Sequence, residues 1–447
     1  MKKRNRGISA GTVVMLMMTV MAVIGFSIVM NRLSGKGADL NRLQMHALKL
    51  ATEDRPETED ILLVSDGQTA SDAQSASDAR PASAEPRERE DEPAGTAAAA
   101  QNGDSLTLTF GGTVAVESGI RKSCYAADSK KYDFSLVMNL MRDAFRGEGT
   151  AVFLENVLTD NAKMTDTVIP ANAAEMLSEA GVGIAAAGFA KAFDQGTDGL
   201  RATRQALSDY GIQALGVVPE AGDSAAVTIR QNGLAVTLLQ YTGTVPASVR
   251  KTMAKKDAAG ALPEAKAELI AEDIRQAREA GADAVCVLLN WGKTGGKNPE
   301  KAQKALAWQI AEAGADLIIG AGSRTPQTPE WMAVTDSGGK TRQVLCVYSL
   351  GTLISDNRKA INRMSGYLLQ VTFRKSSGGN TAAEDPRYVP TYVWRYRQDG
   401  VYYYRCLAAN RTPPDGMDSE QQKNMAKAAE TIAGILENSG IRIAEAP

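Results

Sequence analysis

From Ser105 onward the apolar positions follow two rhythms that alternate along the chain. Runs such as SLTLTFGG, AVFLENVL, VGIAAAGF, IQALGVV, ADAVCVLLNWG, ADLIIGAGS and RQVLCVYSLG are continuous or repeat with period two, as strands buried on one or both faces require. Between them NAAEMLSEAG, DGLRATRQALSDYG, AKAELIAEDIRQAREAG and EKAQKALAWQIAEAG carry apolar residues at helical spacing. The helix-to-strand junctions read EAGVGIA, EAGADAV and EAGADLI, which predicts a glycine just past each helix end in the left-handed conformation. AVTIRQNGLAVTLLQYTG predicts a hairpin turning at Asn232-Gly233, and YVPTYVWRY pairs with VYYYRCLAA around Asp399-Gly400. GYLLQVTFR adds a strand, DSEQQKNMAKAAETIAGILENSG a closing helix, and the first strand is predicted to end in a glycine turn at Gly111-Gly112. This alternation specifies an α/β layered fold, whose functional loops gather at the carboxyl ends of strands.

Upstream the pattern changes. Ile8–Met30 is an uncharged run long enough to span a bilayer as a helix, and Lys2, Lys3, Arg4 and Arg6 precede it. The positive-inside rule then keeps residues 1–7 cytoplasmic and the main domain outside. A cleaved signal peptide would have a shorter apolar core and a small-x-small site, so an uncleaved signal anchor over residues 8–30 is the expectation. Residues 31–64 read as a juxtamembrane segment with Leu40, Leu43, Ala47 and Leu50 at helical spacing. Residues 65–104 are an Ala/Ser/Asp/Glu/Pro linker with too little apolar surface to offset chain entropy, a disordered tether for the body at 105–447.

Composition narrows the chemistry. With 50 Lys+Arg against 52 Asp+Glu there is no basic excess, so nucleic acid is not an expected partner. The single histidine, His46, lies outside the body, which weighs against imidazole-based catalysis and metal binding. Cys124, Cys286, Cys346 and Cys406 are too sparse for a disulfide framework. Cys286 and Cys346 read as small buried hydrophobes, and spacing leaves open whether Cys124 and Cys406 pair.

The strand-end loops carry a recognisable skeleton: Gly111-Gly112; Phe153-Leu154-Glu155 with Thr159-Asp160; Gly188-Phe189-Ala190-Lys191 with Asp194-Gln195-Gly196; Asn290-Trp291-Gly292; Gly320-Ala321-Gly322-Ser323-Arg324 with Gln327 and Glu330; and Tyr348-Ser349-Leu350-Gly351-Thr352. In order and spacing, from about Ser105 to Ala408, this resembles the bacterial capsule-synthesis CapA family, relatives of the calcineurin-like metallophosphoesterases. The resemblance implies a metallophosphatase-like β-sandwich flanked by helices and a link to poly-γ-glutamate capsule. It also implies a metal site this chain has largely lost. Gly112 stands for the family's first Asp and Ala190-Lys191 for its Asn-His. Asn290, Gly322 and Arg324 stand for three later histidines, and among the candidate ligands only Glu155 remains.

The expectation is therefore a non-catalytic protein without metal or other cofactor, accessory to the synthesis of a capsule or cell-envelope polymer. Its partners would be the cell membrane and an anionic envelope polymer or capsule-synthesis membrane proteins. Glu155, Lys191, Asp194, Asn290, Trp291 and Arg324 form the candidate ligand pocket. In one version Lys191 and Arg324 supply positive charge where metal sat and bind an anion; in the other they pair with Glu155, Asp160 or Asp194, or lean into solvent. A hydrolase with a rebuilt site and a module recruiting membrane partners are the alternatives. GKTGGK at Gly292–Lys297 lacks phosphate-loop spacing and reads as a mobile loop. Asp194-Gln195-Gly196 reads as a helix-capping turn, Trp291 as packing, and Tyr402–Tyr404 as alternating core and surface rather than an aromatic platform.

Overall fold

Two sheets lie face to face, each covered by helices on its outer side, in a computed structural model that describes residues 104–220, 224–256, 258–335 and 339–444. The predicted anchor, juxtamembrane segment and linker lie outside the described residues. The first sheet begins with β1 (Ser105–Val114), β2 (Gly149–Leu154), β3 (Ile184–Ala186) and β4 (Gln213–Leu215). The chain then crosses to the second, with β5 (Ala226–Gln231), β6 (Leu234–Thr242), β7 (Ala284–Trp291), β8 (Leu317–Gly322), β9 (Glu330–Thr335) and β10 (Thr341–Val347). It returns to the first with β11 (Thr352–Ile354), β12 (Ser365–Lys375), β13 (Thr381–Gln398), β14 (Val401–Ala408) and β15 (Arg442–Ile443).

The first sheet runs β14-β13-β12-β1-β2-β3-β4, with β11 beside β1 and β15 beside β13; the second runs β9-β10-β8-β7-β6-β5. Both have parallel centres. β1 to β4 are parallel, as are β6, β7, β8 and β10, while antiparallel pairing supplies the flanks. Period-two alternation sorts the side chains between layers. On β7, Ala284, Cys286 and Leu288 meet Leu106, Leu108 and Phe110 of β1 in the intersheet core. Val285, Val287 and Leu289 point the other way. There they pack with Ile270 and Ile274 of one helix, Ala267–Glu279, and Ala307 and Ile310 of another, Lys301–Glu312. Each large apolar side chain buried this way contributes roughly 1.5–3 kcal/mol, so neither sheet is stable without its two covers.

The local signals are realised where one residue decides them. Gly181, Gly281 and Gly314 close helices at φ of 90°, 86° and 113°, and Asn232-Gly233 and Asp399-Gly400 turn their hairpins with positive φ at both residues. The first strand departs from its expectation. It does not stop at Gly111-Gly112 but continues to Val114, absorbing Gly112 as a bulge where its register with β2 slips between Gly111 and Thr113. The reason is tertiary: β11 docks alongside and Thr113 N donates to Gly351 O at 3.0 Å. All four cysteines are buried free thiols, which settles the open Cys124–Cys406 question.

Candidate functional site

The parallel strands of both sheets deliver their carboxyl ends to one region. β1 leads to Glu117, β2 to Glu155, β7 to Asn290, β8 to Arg324 and β11 to Asp356. The backbone there is held before any charge is considered. Glu155 N donates to Val114 O, Val116 N donates to Asn156 Oδ1 at 2.8 Å, and Asn156 Nδ2 returns a bond to Val116 O. Thr352 Oγ1 donates to Arg324 O at 3.0 Å, helping to hold Arg324 at its positive φ of 52°.

On this frame Arg324 joins two carboxylates. Its Nε and Nη2 reach Glu155 Oε2 at 2.7 and 2.5 Å, and Nη1 reaches Glu117 Oε1 at 2.9 Å. Asn290 Nδ2 donates to the other oxygen of Glu155 at 2.9 Å. Glu117 also accepts from Ser355 Oγ and from Asp356 N, and the Asp356 carboxyl accepts from Gly119 N at 2.8 Å. Burial would raise the Glu117 carboxyl, but hydrogen bonds from Asp356 and Ser355 and the Arg324 charge outweigh it and leave it below the usual range. Burial and the neighbouring Glu117 push Asp356 up to about 6. Burial acts to lower Arg324, yet Glu155 and Glu117 hold it above the ordinary arginine value.

Of the six pocket residues inferred from the sequence, the structure brings together Glu155, Asn290 and Arg324. Lys191 is exposed and has no hydrogen bond or ion pair to any of these three; it stands near Asp194, lowering a carboxyl that burial raises. Asp194 makes no helix cap, since the helix Gly196–Asp209 starts after Gln195 with no side-chain capping bond. Trp291 packs, as expected of it: it is buried, stacks on Tyr348 and donates Nε1–H to Tyr348 O at 2.9 Å. The GKTGGK loop is pinned rather than free, with Gly295 N on Ser323 O at 2.7 Å and Gln327 Nε2 on Gly296 O at 3.0 Å. Glu117 and Asp356 were missed. Each is an acid at the carboxyl end of a strand, and that position alone could have nominated them.

This donor set does not fit a divalent metal centre. The Glu155 oxygens accept from Arg324 and Asn290, and among the described residues no group of three or more His, Cys, Asp or Glu is placed to hold an ion. Two of the lost positions, Gly112 and Gly322, are closed by backbone as well as by side-chain identity. A Cβ on Gly112 would stand 2.5 Å from Gly351 O, and one on Gly322, at φ 95°, 2.6 Å from Trp291 O. Nor does Arg324 by itself make a positive pocket. In the hydrogen-bonded cluster one guanidinium faces the carboxyls of Glu117 and Glu155, with Asp356 beside them, so Arg324 has no surplus charge to offer a further anion.

Comparison with known proteins fits this skeleton. Over 190 residues the chain is 28% identical to the PGA biosynthesis protein CapA of Bacillus subtilis, a stretch covering 42% of this chain and 46% of the relative. The chain thus aligns with about half the length of that curated relative. Among solved structures it is similar to the NAD nucleotidase NadN of Haemophilus influenzae (TM-score 0.38, 10% identity, 77% of this chain and 64% of that one). It is also similar to the calcineurin-like phosphoesterase YfkN of Bacillus subtilis (TM-score 0.37, 12% identity, 75% and 100%). A family model described as bacterial capsule synthesis protein PGA_cap matches residues 107–357, more than half of the chain and every loop that delivers Glu117, Glu155, Asn290, Arg324 and Asp356. The chain belongs to the bacterial capsule synthesis protein family.

Proposed function

We propose that this protein is a non-catalytic member of its family, anchored in the membrane by residues 8–30. Its body would act outside the cell as an accessory to the assembly of an anionic capsule polymer of the poly-γ-glutamate kind. The observation that carries the non-catalytic reading is the Arg324 guanidinium, bound to Glu155 and Glu117 at the convergence of the strand ends. A two-metal phosphoesterase needs several oxygen or nitrogen donors turned toward shared cations to generate hydroxide and neutralise the transferring phosphoryl group. Here the surviving donor is neutralised by a fixed cation, and two of the replaced positions, Gly112 and Gly322, are glycines packed against backbone. The rebuilt-hydrolase alternative would need Lys191 and Asp194 to engage Glu155, whose oxygens are instead bonded by Arg324 and Asn290.

Elemental analysis of the purified full-length protein, combined with a phosphodiester assay on bis-p-nitrophenyl phosphate, tests this reading. Metal below a tenth of stoichiometry after incubation with Mn, Fe or Zn salts, with no turnover, is expected. Stoichiometric metal accompanied by turnover would overturn it. The anchor is tested separately by carbonate extraction of membranes, where release of the protein into the soluble fraction would sink that part.

A further inference from the structure

The β13–β14 hairpin carries arginines of a different kind. Its register places Arg395 opposite Tyr404 and Arg397 opposite Tyr402, so these four share one face of the ribbon. Tyr404 is buried in the core beneath that face, whereas Tyr402, nearer the tip, is 46% exposed. The Arg395 guanidinium carbon lies 4.4 Å from the Tyr402 ring centre and that of Arg397 5.7 Å from it. Closer to the body, Arg358 donates to Val393 O at 2.6 Å and sits 5.9 Å from the Tyr392 ring. Arg201, Arg250, Arg275 and Arg324 all have carboxylate partners. Among the described residues no ion pair joins Arg358, Arg395 or Arg397 to a carboxylate. Arg358 and Arg395 are also close enough to matter to one another: burial, and then the Arg395 charge, hold Arg358 below the ordinary arginine range, against an opposing pull from Tyr392. The hairpin lies outside residues 107–357, the stretch shared with the family model.

Clustered like charges with no internal counter-charge favour an anion from outside. A guanidinium stacked on a ring loses rotamer freedom in advance, which suits bidentate capture of a carboxylate from outside. Arg397 Nε donates to Gly400 O at 3.4 Å, but its outer Nη edge joins no carboxylate among the described residues. Two such groups at i and i+2 on one strand face are spaced about 7 Å apart along the ribbon, a row rather than a single pocket. We propose that the outer half of this hairpin docks an extended polycarboxylate chain, with Arg395 and Arg397 binding successive carboxylates and Tyr402 bracing both. The choice of a carboxylate polymer rests on the capsule reading above; the row of unpaired guanidiniums does not. It moves the ligand away from the loops around Glu155, where the one buried cation is already neutralised.

Binding of the full-length protein in detergent to immobilised poly-γ-glutamate, at 50 and 200 mM salt, tests the proposal. Wild type should bind, with affinity falling as salt rises. Arg395→Gln/Arg397→Gln should weaken binding by about tenfold or more and Tyr402→Leu by about threefold, with Tm unchanged. Lys251→Gln/Lys255→Gln removes the same charge from the helix Ala247–Lys255, which carries neither Arg395, Arg397 nor Tyr402, and should stay within about twofold. Polymer binding that is indifferent to Arg395→Gln/Arg397→Gln would overturn the hairpin surface and leave the capsule reading standing. Wild type that ignores poly-γ-glutamate but binds polyphosphate or phosphatidylglycerol vesicles through these arginines would overturn the polycarboxylate. Wild type that binds none of the three would overturn the proposal and count against the capsule reading as well.

Discussion

Arg324 and the Arg395–Arg397 pair are the same residue type on one body and do opposite work. Arg324 is largely buried, its side chain 19% exposed, and its donors are taken by Glu155 and Glu117. Arg395 and Arg397 lie half-buried and exposed on a projecting ribbon, leaning on a ring and joined to no carboxylate among the described residues. The first can only be a strut, because releasing it would strand two poorly solvated carboxylates. The second can take a ligand at little cost, because nothing inside the protein has to be given up. A cation where strand ends converge therefore does not by itself make an anion site; what matters is whether the cation has already been neutralised.

The sharpest way to break this contrast is Arg324→Ala. Leaving Glu155 and Glu117 facing each other should cost about 3–5 kcal/mol in urea unfolding. A loss under about 1 kcal/mol would mean that Arg324 is as free as the hairpin arginines. Next in size, Gly112→Asp should cost about 3 kcal/mol and restore no metal binding, since its Cβ meets Gly351 O; metal uptake by a folded variant would refute the closed site. A smaller effect is read from pH. Asp356 is raised from 3.8 to about 6, so the stability it contributes is fully present below the unfolded value and is lost as pH rises through about 6. Glu117 is lowered, so its contribution is present above the unfolded value and lost as pH falls. Asp356→Asn should remove the decline between about pH 4 and 6 and, at pH 7.5, match or exceed wild type by on the order of 1 kcal/mol. An unchanged pH profile would contradict the pairing. The smallest expected effect is the most telling for the other half of the comparison: Arg395→Gln should change stability by no more than about 0.5 kcal/mol, and a larger loss would mark it as a second strut.

What could be read from the chain was set by local backbone demands. Helix-ending Gly281, hairpin-turning Asn232-Gly233 and the alternating β7 run each needed only their neighbours, and all appear as expected. The features that went astray depend on partners far along the chain. Gly112 looked like a turn because its bulge is made by β11, some 240 residues later. Glu117 looked like any surface acid because its partners, Arg324, Ser355 and Asp356, are equally remote. Loop correspondence put Lys191 near Glu155, but whether its side chain would pair or lean into solvent depends on partners that correspondence does not fix; it is exposed and near Asp194. Arg395 and Arg397 went unnoticed because isolation from carboxylates is a property of the fold.

The buried cysteines carry a consequence for how the body reaches its destination. Burial pushes the thiol of Cys124 up to about 12 and those of Cys286, Cys346 and Cys406 well above their ordinary value, so in the native state none is a competent nucleophile. In an oxidising compartment the hazard is then confined to the interval before the core closes, when unfolded chains could crosslink through their thiols. Slow folding, rather than low final stability, would be what exposes this protein to damage in oxidising surroundings. A thiol reagent should find none of the 4 cysteines in the folded body and all of them in denaturant.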